Sequence, residues 1–262
     1  MNILEQIILS KRKEVEQRRA ERPLHLLEAS SFFNRQTLSL KQAVLDPSKT
    51  GIIAEFKRRS PSKGVINDQA DVSDVTEKYT SGGASGLSVL TDAAYFGGSE
   101  ADLQQARLNN IPVLRKDFIV DEYQVVEARA MGADVILLIA ACLTPTEVLS
   151  LASFAHNLQL EVLLELHDED EIDHMNEYTA LVGINNRNLK TFSVDMEKSI
   201  SMAEKIGSAA VRIAESGITG PEDVVRFRKY GFDGFLIGER FMREQDPGTA
   251  FNDFVKTLNS IA

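Results

Sequence analysis

Cysteine is nearly missing from these 262 residues: Cys142 stands alone, and the four histidines show no spacing that suits a metal site. One cysteine excludes an internal disulfide framework and agrees with a reducing compartment. Cys142 lies in an apolar run with no charged or histidine neighbour to lower its pKa, so it reads as a small buried hydrophobe. Positive charge is scarce as well. Lys and Arg number 29 against 39 Asp and Glu, a formal net charge of −10, which argues against a nucleic-acid surface. No apolar stretch approaches the ~20 residues that span a bilayer. Glu5 interrupts the apolar residues at the N-terminus and no small-residue cleavage site follows, so no secretory leader is expected there. The sequence also lacks a G-x-G-x-x-G after its first strand, and Gly82-Gly83 and Gly97-Gly98 lack the Lys-Ser/Thr of a P-loop. The expected protein is cytoplasmic and monomeric. Its expected partner is a small molecule, with no nucleic acid, membrane, metal or cofactor.

What is present is 43% hydrophobic sequence in a regular order. Residues 1 to about 20 have helical apolar spacing, Pro23 interrupts, and a second helical stretch over 39–45 stops at Asp46-Pro47. From Gly51 short apolar runs recur every 20 to 35 residues or so, one strand plus one helix each. They are Ile52-Ile53-Ala54, Gly86-Leu87-Ser88-Val89-Leu90, Ile111-Pro112-Val113-Leu114 and Val135-Ile136-Leu137-Leu138-Ile139. Val162-Leu163-Leu164, Leu181-Val182-Gly183-Ile184, Ala210-Val211-Arg212-Ile213-Ala214 and Gly234-Phe235-Leu236-Ile237 follow. Several are too continuously apolar for a half-exposed strand. Amphipathic stretches over 72–79, 121–131, 146–157 and 221–230 lie between them. Eight strands alternating with helices predict an α/β fold, a (β/α)8 TIM barrel over 51–262 with an N-terminal helical extension over 1–50, in a single domain. An open doubly wound sheet is the alternative.

In such a barrel chemistry sits at the C-terminal ends of the strands. Strand 1 delivers Glu55 and Lys57 to the same side, strand 3 delivers Lys116, strand 5 Glu165 and strand 6 Asn185 and Arg187. Glu55 and Glu165 lie in or directly after apolar strands, where an unpaired carboxylate is costly to bury, and the cations are there to pair with them. Strands 7 and 8 end in Glu215-Ser216-Gly217 and Gly238-Glu239. Glycine lets backbone N–H groups approach an anion, and loops 7 and 8 are the usual phosphate site of this fold. Ser60 offers a further hydroxyl.

These segments resemble the indole-3-glycerol-phosphate synthase family of tryptophan biosynthesis. The resemblance rests on Glu55-Phe56-Lys57-Arg58-Arg59-Ser60-Pro61-Ser62, Arg115-Lys116-Asp117-Phe118-Ile119, Leu164-Glu165, Gly183-Ile184-Asn185-Asn186-Arg187-Asn188-Leu189, Ala214-Glu215-Ser216-Gly217-Ile218 and Leu236-Ile237-Gly238-Glu239. It covers nearly the whole chain. It implies decarboxylative ring closure and dehydration of 1-(2-carboxyphenylamino)-1-deoxyribulose 5-phosphate, with no cofactor or metal. By the resemblance Lys116 is the general acid, and such a lysine works best with its pKa drawn toward neutrality. Glu165 is the general base, with Glu55 the alternative for the final proton. Lys57 holds the substrate carboxylate and is, beside Lys116, a candidate acid at dehydration. Glu55 holds the anilino nitrogen or orients Lys116. Asn185 and Arg187 position the sugar and carboxylate. Glu215 and Ser216 complete the floor, and Gly217, Gly238 and Glu239 give backbone donors to phosphate. Phe118 and Leu137 are expected beside the aromatic ring. Arg240 departs from the small residue expected after Gly238-Glu239. A sugar-phosphate aldolase with Lys116 as Schiff-base nucleophile and a silent phosphate-binding barrel are the rival readings.

Overall fold

The computed structural model describes residues 3–187, 193–208 and 210–261. Asn188 and Leu189 of the segment quoted above, and Met1 of the first helix, lie outside them.

Eight parallel strands close into a barrel: β1 (Ile52–Phe56), β2 (Gly86–Leu90), β3 (Val113–Lys116), β4 (Val135–Ile139), β5 (Glu161–Leu166), β6 (Leu181–Asn185), β7 (Val211–Glu215) and β8 (Gly234–Ile237). Each pairs with the strands before and after it, and β1 pairs with β8 to complete the ring. β2, β4 and β8 coincide with the apolar runs. β3 begins later than its run, at Val113, because Pro112 has no N–H for a ladder. It then continues through Lys116, while β5 continues past Glu165 to Leu166. Arg115, Lys116 and Glu165 thus belong to strands rather than to the loops after them.

The intervening helices begin where polar caps allow. Thr144 accepts from Glu147 N while the Glu147 side chain accepts from Thr144 N, and Pro145 opens the helix Pro145–Asn157. Asp121 caps Glu122–Met131 and Gly132 ends it in the left-handed region. Outward strand residues and the inner faces of these helices form the larger core. Inward residues such as Ile53, Leu114, Leu163, Leu181 and Ile213 fill the barrel. Leu40 and Val44, from the helix Leu40–Leu45, join this inner cluster. An added Cβ at Gly86 or Gly234, each the first residue of its strand, would meet Leu40 or Val44, so this helix plugs the N-terminal end of the barrel.

The N-terminal helix, Ile3–Glu21, buries Ile7, Lys11 and Val15, one turn apart along one face. Its Lys11 ammonium lies 2.8 Å from Asp92 and 3.0 Å from Asp117, carboxylates just past the ends of β2 and β3. The helix is thereby fastened across the C-terminal mouth. A short helix, Leu24–Glu28, follows Pro23 within the helical extension.

Candidate active site

The C-terminal mouth opens into a cavity of about 590 Å³, and every candidate residue borders it. Glu55 and Lys57 enter from β1 and the residue after it, Lys116 and Phe118 from β3 and its loop, and Leu137 from β4. Glu165 comes from β5, Asn185 and Arg187 from β6 and its loop, Glu215, Ser216 and Gly217 from β7 and its loop, and Gly238 and Glu239 from the end of β8. Ser60 stands in a two-residue hairpin pairing, Arg59–Ser60 with Gly64–Val65, beside the rim.

Lys116 is the centre. Its Nζ donates to Glu165 Oε2 at 2.7 Å and to Glu215 Oε2 at 2.9 Å. Burial alone would lower its pKa, but the charges of Glu165, Glu215 and Glu55 outweigh burial and hold it above the ordinary lysine value. This corrects the expectation of a lysine drawn toward neutrality: its neighbours are carboxylates, not cations. Glu165 is drawn down. Burial would raise it, but Lys116, His167 and an Asn185 hydrogen bond of 2.8 Å favour its charged form. Glu215 moves the other way, up to about 8. Burial is the main cause; Lys116 opposes it and the charges of Glu165 and Glu55 add to it. Glu55 is held separately, accepting from Lys57 Nζ at 2.5 Å.

Two glycines make room for these carboxylates. A Cβ at Gly183 would stand 1.9 Å from Glu215 Oε1, and one at Gly238 2.5 Å from Glu55 Oε1. Beyond Glu215 the backbone takes two successive left-handed residues, Ser216 at φ 66° and Gly217 at φ 72°. For Gly217 that conformation costs little; for Ser216 it is strained by ~1–3 kcal/mol. The Asn186 side chain secures the turn, donating to Ser216 O at 2.7 Å.

At the rim of the cavity Glu239 lies 3.5 Å from Arg187 and 3.4 Å from Lys63, joining loops 1, 6 and 8 by charge. Arg240 points back to the barrel rim, donating to Thr219 O at 3.1 Å and pairing with Glu244. Phe118 packs partly buried against Phe96, and Leu137 is in the inner cluster with one edge on the cavity. Among the described residues no group of three or more His, Cys, Asp or Glu is arranged to hold a metal.

Some neighbours were not expected. His167, set aside on sequence grounds, has Nε2 3.0 Å from Glu165 Oε1 and is buried. Its signal was its place two residues after Glu165. Ile3, Leu4 and Ile7 of the N-terminal helix form part of the cavity wall, which no local motif announces. Cys142 is half-buried rather than buried; burial and the nearby Glu165 and Glu171 push its thiol up to about 12, so it stays an unreactive thiol.

The family model for Indole-3-glycerol phosphate synthase matches residues 4–254. The chain is similar to the indole-3-glycerol phosphate synthase of Bacteroides thetaiotaomicron, with 46% identity over 98% of this chain and 99% of that one. It is 44% identical to that of Laribacter hongkongensis over 95% of this chain and 97% of the other. Among solved structures, tryptophan synthase subunit alpha from Legionella pneumophila superposes with a TM-score of 0.62 at 13% identity, covering 86% of this chain and 98% of that one. At that identity the likeness concerns the fold alone.

Proposed function

Since the chain belongs to the indole-3-glycerol phosphate synthase family, a family of decarboxylating lyases in tryptophan biosynthesis, we propose how its own residues divide the reaction. The substrate is 1-(2-carboxyphenylamino)-1-deoxyribulose 5-phosphate, and the products are indole-3-glycerol phosphate, carbon dioxide and water. The ring carbon bearing the carboxylate attacks the ketone carbon, and Lys116 gives a proton to the ketone oxygen. Carbon dioxide leaves with the ring electrons restored. The new hydroxyl departs as water, and Glu165 removes the proton from the carbon beside nitrogen to complete the indole. Two protons are therefore given and one is taken back.

The observation that carries this reading is Lys116 in contact with both Glu165 and Glu215 at the floor of the cavity. A loaded ammonium beside an ionised carboxylate supplies an acid and a base within reach of one substrate. Lys57 binds the substrate carboxylate with Glu55 as its partner, and Asn185 fixes Glu165. Phe118, Leu137 and the N-terminal helix enclose the aromatic ring. Arg187, Ser60, Ser216 and the backbone at Gly217, Gly238 and Glu239 hold the sugar phosphate. No helix among the described residues is long and apolar enough to cross a membrane. We take the protein to work as a single-domain monomer in the cytoplasm.

The chain contains no tryptophan, so the fluorescence of the product indole rises against a tyrosine background only. Adding substrate to the protein should produce that signal, and Lys116→Ala should reduce its rate by ~10²–10⁴-fold. Near-normal turnover in the variant would refute the acid role of Lys116. A borohydride-trapped adduct at Lys116 with a ketose phosphate would favour an aldolase instead.

A further inference from the structure

Resting on the roles just given to Lys116 and Glu165, we propose that Glu215 is a stored carboxylic acid which supplies the second proton of the reaction through Lys116. The argument begins with a charge inventory. Three buried carboxylates, Glu55, Glu165 and Glu215, converge on the cavity floor. The described residues bring two ammoniums to them. Lys57 is taken by Glu55, and Lys116 is shared by the other two. His167 reaches Glu165 only, so Glu165 and Glu215 share one ammonium at this depth and cannot both remain ionised without a large electrostatic cost; one keeps its proton.

Glu215 is the one with the weaker support. Glu165 accepts from Lys116 and Asn185 and has His167 beside it. Glu215 has Lys116 alone, and its Oε1 is buried against Gly183 with no hydrogen-bond partner among the described residues. The charged groups facing it are Lys116 from β3, Glu165 from β5 and Glu55 from β1, two of the three being carboxylates. Their joint effect with burial raises Glu215 to about 8, the direction that the geometry alone requires.

The proton count then closes. Lys116 gives its proton to the ketone oxygen and becomes a neutral amine. Glu215 Oε2, 2.9 Å away, passes its proton to Lys116 Nζ. Lys116 gives this second proton to the departing hydroxyl, which leaves as water. Glu165 takes the proton from the indole carbon and returns it to Lys116 across 2.7 Å. The ammonium and the Glu165 carboxylate are restored, Glu215 is left ionised, and one proton from solvent resets it. One proton is consumed per turnover, as the overall decarboxylation demands. Lys57 need not leave the substrate carboxylate to act as a second acid.

Infrared difference spectroscopy of the protein labelled with ¹³C-glutamate tests this. The wild type should show the C=O stretch of a protonated glutamic acid at pH 6, fading as pH passes through about 8, and Glu215→Gln should lack it. A wild-type spectrum with no such band, or a band that survives in E215Q, overturns the proposal without requiring activity. In single-turnover experiments E215Q should release carbon dioxide near the normal rate but form indole ~10²-fold more slowly. Loss of both steps together, or of neither, also overturns it. The underlying reading fails separately: if Lys116→Ala makes indole normally, Lys116 is not the acid, whatever the state of Glu215.

Discussion

The two ends of the barrel both bury charge, and they treat it differently. At the N-terminal end Asp134 is fully buried, and four donors surround it. Arg35 Nη2 donates at 2.6 Å, the backbone N–H groups of Leu38 and Val113 at 2.8 Å each, and Arg107 Nη1 in addition. Arg129 in turn donates to the Arg35 carbonyl. At the C-terminal mouth Glu215 is buried as deeply but has one shared donor and an oxygen with no hydrogen-bond partner. A saturated carboxylate does structural work. An undersaturated one keeps its chemistry available, at a cost in stability.

Breaking each end should therefore fail in a different currency. Lys116→Ala should lose ~10²–10⁴-fold in indole formation while its unfolding free energy, read by urea denaturation, falls by less than that of Asp134→Asn, since Glu215 keeps its own proton and Asn185 still donates to Glu165. A loss of stability as large as the loss of activity would dissolve the contrast. Asp134→Asn, at the closed end, should cost ~3–5 kcal/mol by leaving Arg35 and Arg107 without their counter-charge. If it folds normally, the bottom network is not what fastens residues 35–38 to the barrel.

A smaller effect sharpens the comparison through pH. Glu215 has a folded pKa near 8 against an ordinary value of 4.5. Between those values the folded state holds a proton that the unfolded state has released, so stability falls as pH rises from about 4.5 to about 8. Glu215→Gln removes this dependence. It should melt above the wild type, with the gap widest beyond pH 8; ~1 kcal/mol corresponds to ~2–4 °C in a chain of this size. Equal melting temperatures at pH 6 and pH 9 would count against a raised Glu215. The smallest effect is expected at His167, whose Nε2 approaches Glu165. His167→Phe should lower kcat several-fold with little change in KM, and His167→Gln, whose amide reaches the Nε2 position, should recover most of it. Equal behaviour of the two variants would make His167 a packing residue only.

The strand order and the residues at the strand ends were legible because both are local. An apolar run of four or five residues followed by a charge can be read without knowing what lies across the barrel. Lys116, Glu165 and Glu215 stand out that way. Their contacts do not, since they join positions 49 and 99 residues apart, and it is these contacts that set the direction of the Lys116 pKa. Gly183 reads as an ordinary strand residue until Glu215 is seen filling its place. Lys11 reads as one charge on an amphipathic helix, and only the folded chain brings it to Asp92 and Asp117. His167 was discounted because a lone histidine gives no ligand pattern, although strand alternation places it on the side of Glu165.

The vacancy at Gly183 also constrains how such a barrel is reached by mutation. One carbon atom there would collide with the Glu215 carboxylate, while most barrel-facing neighbours are large aliphatic residues. The two positions, on adjacent strands and 32 residues apart in the chain, are thus sterically coupled: a side chain at 183 and the carboxylate at 215 cannot both occupy this geometry.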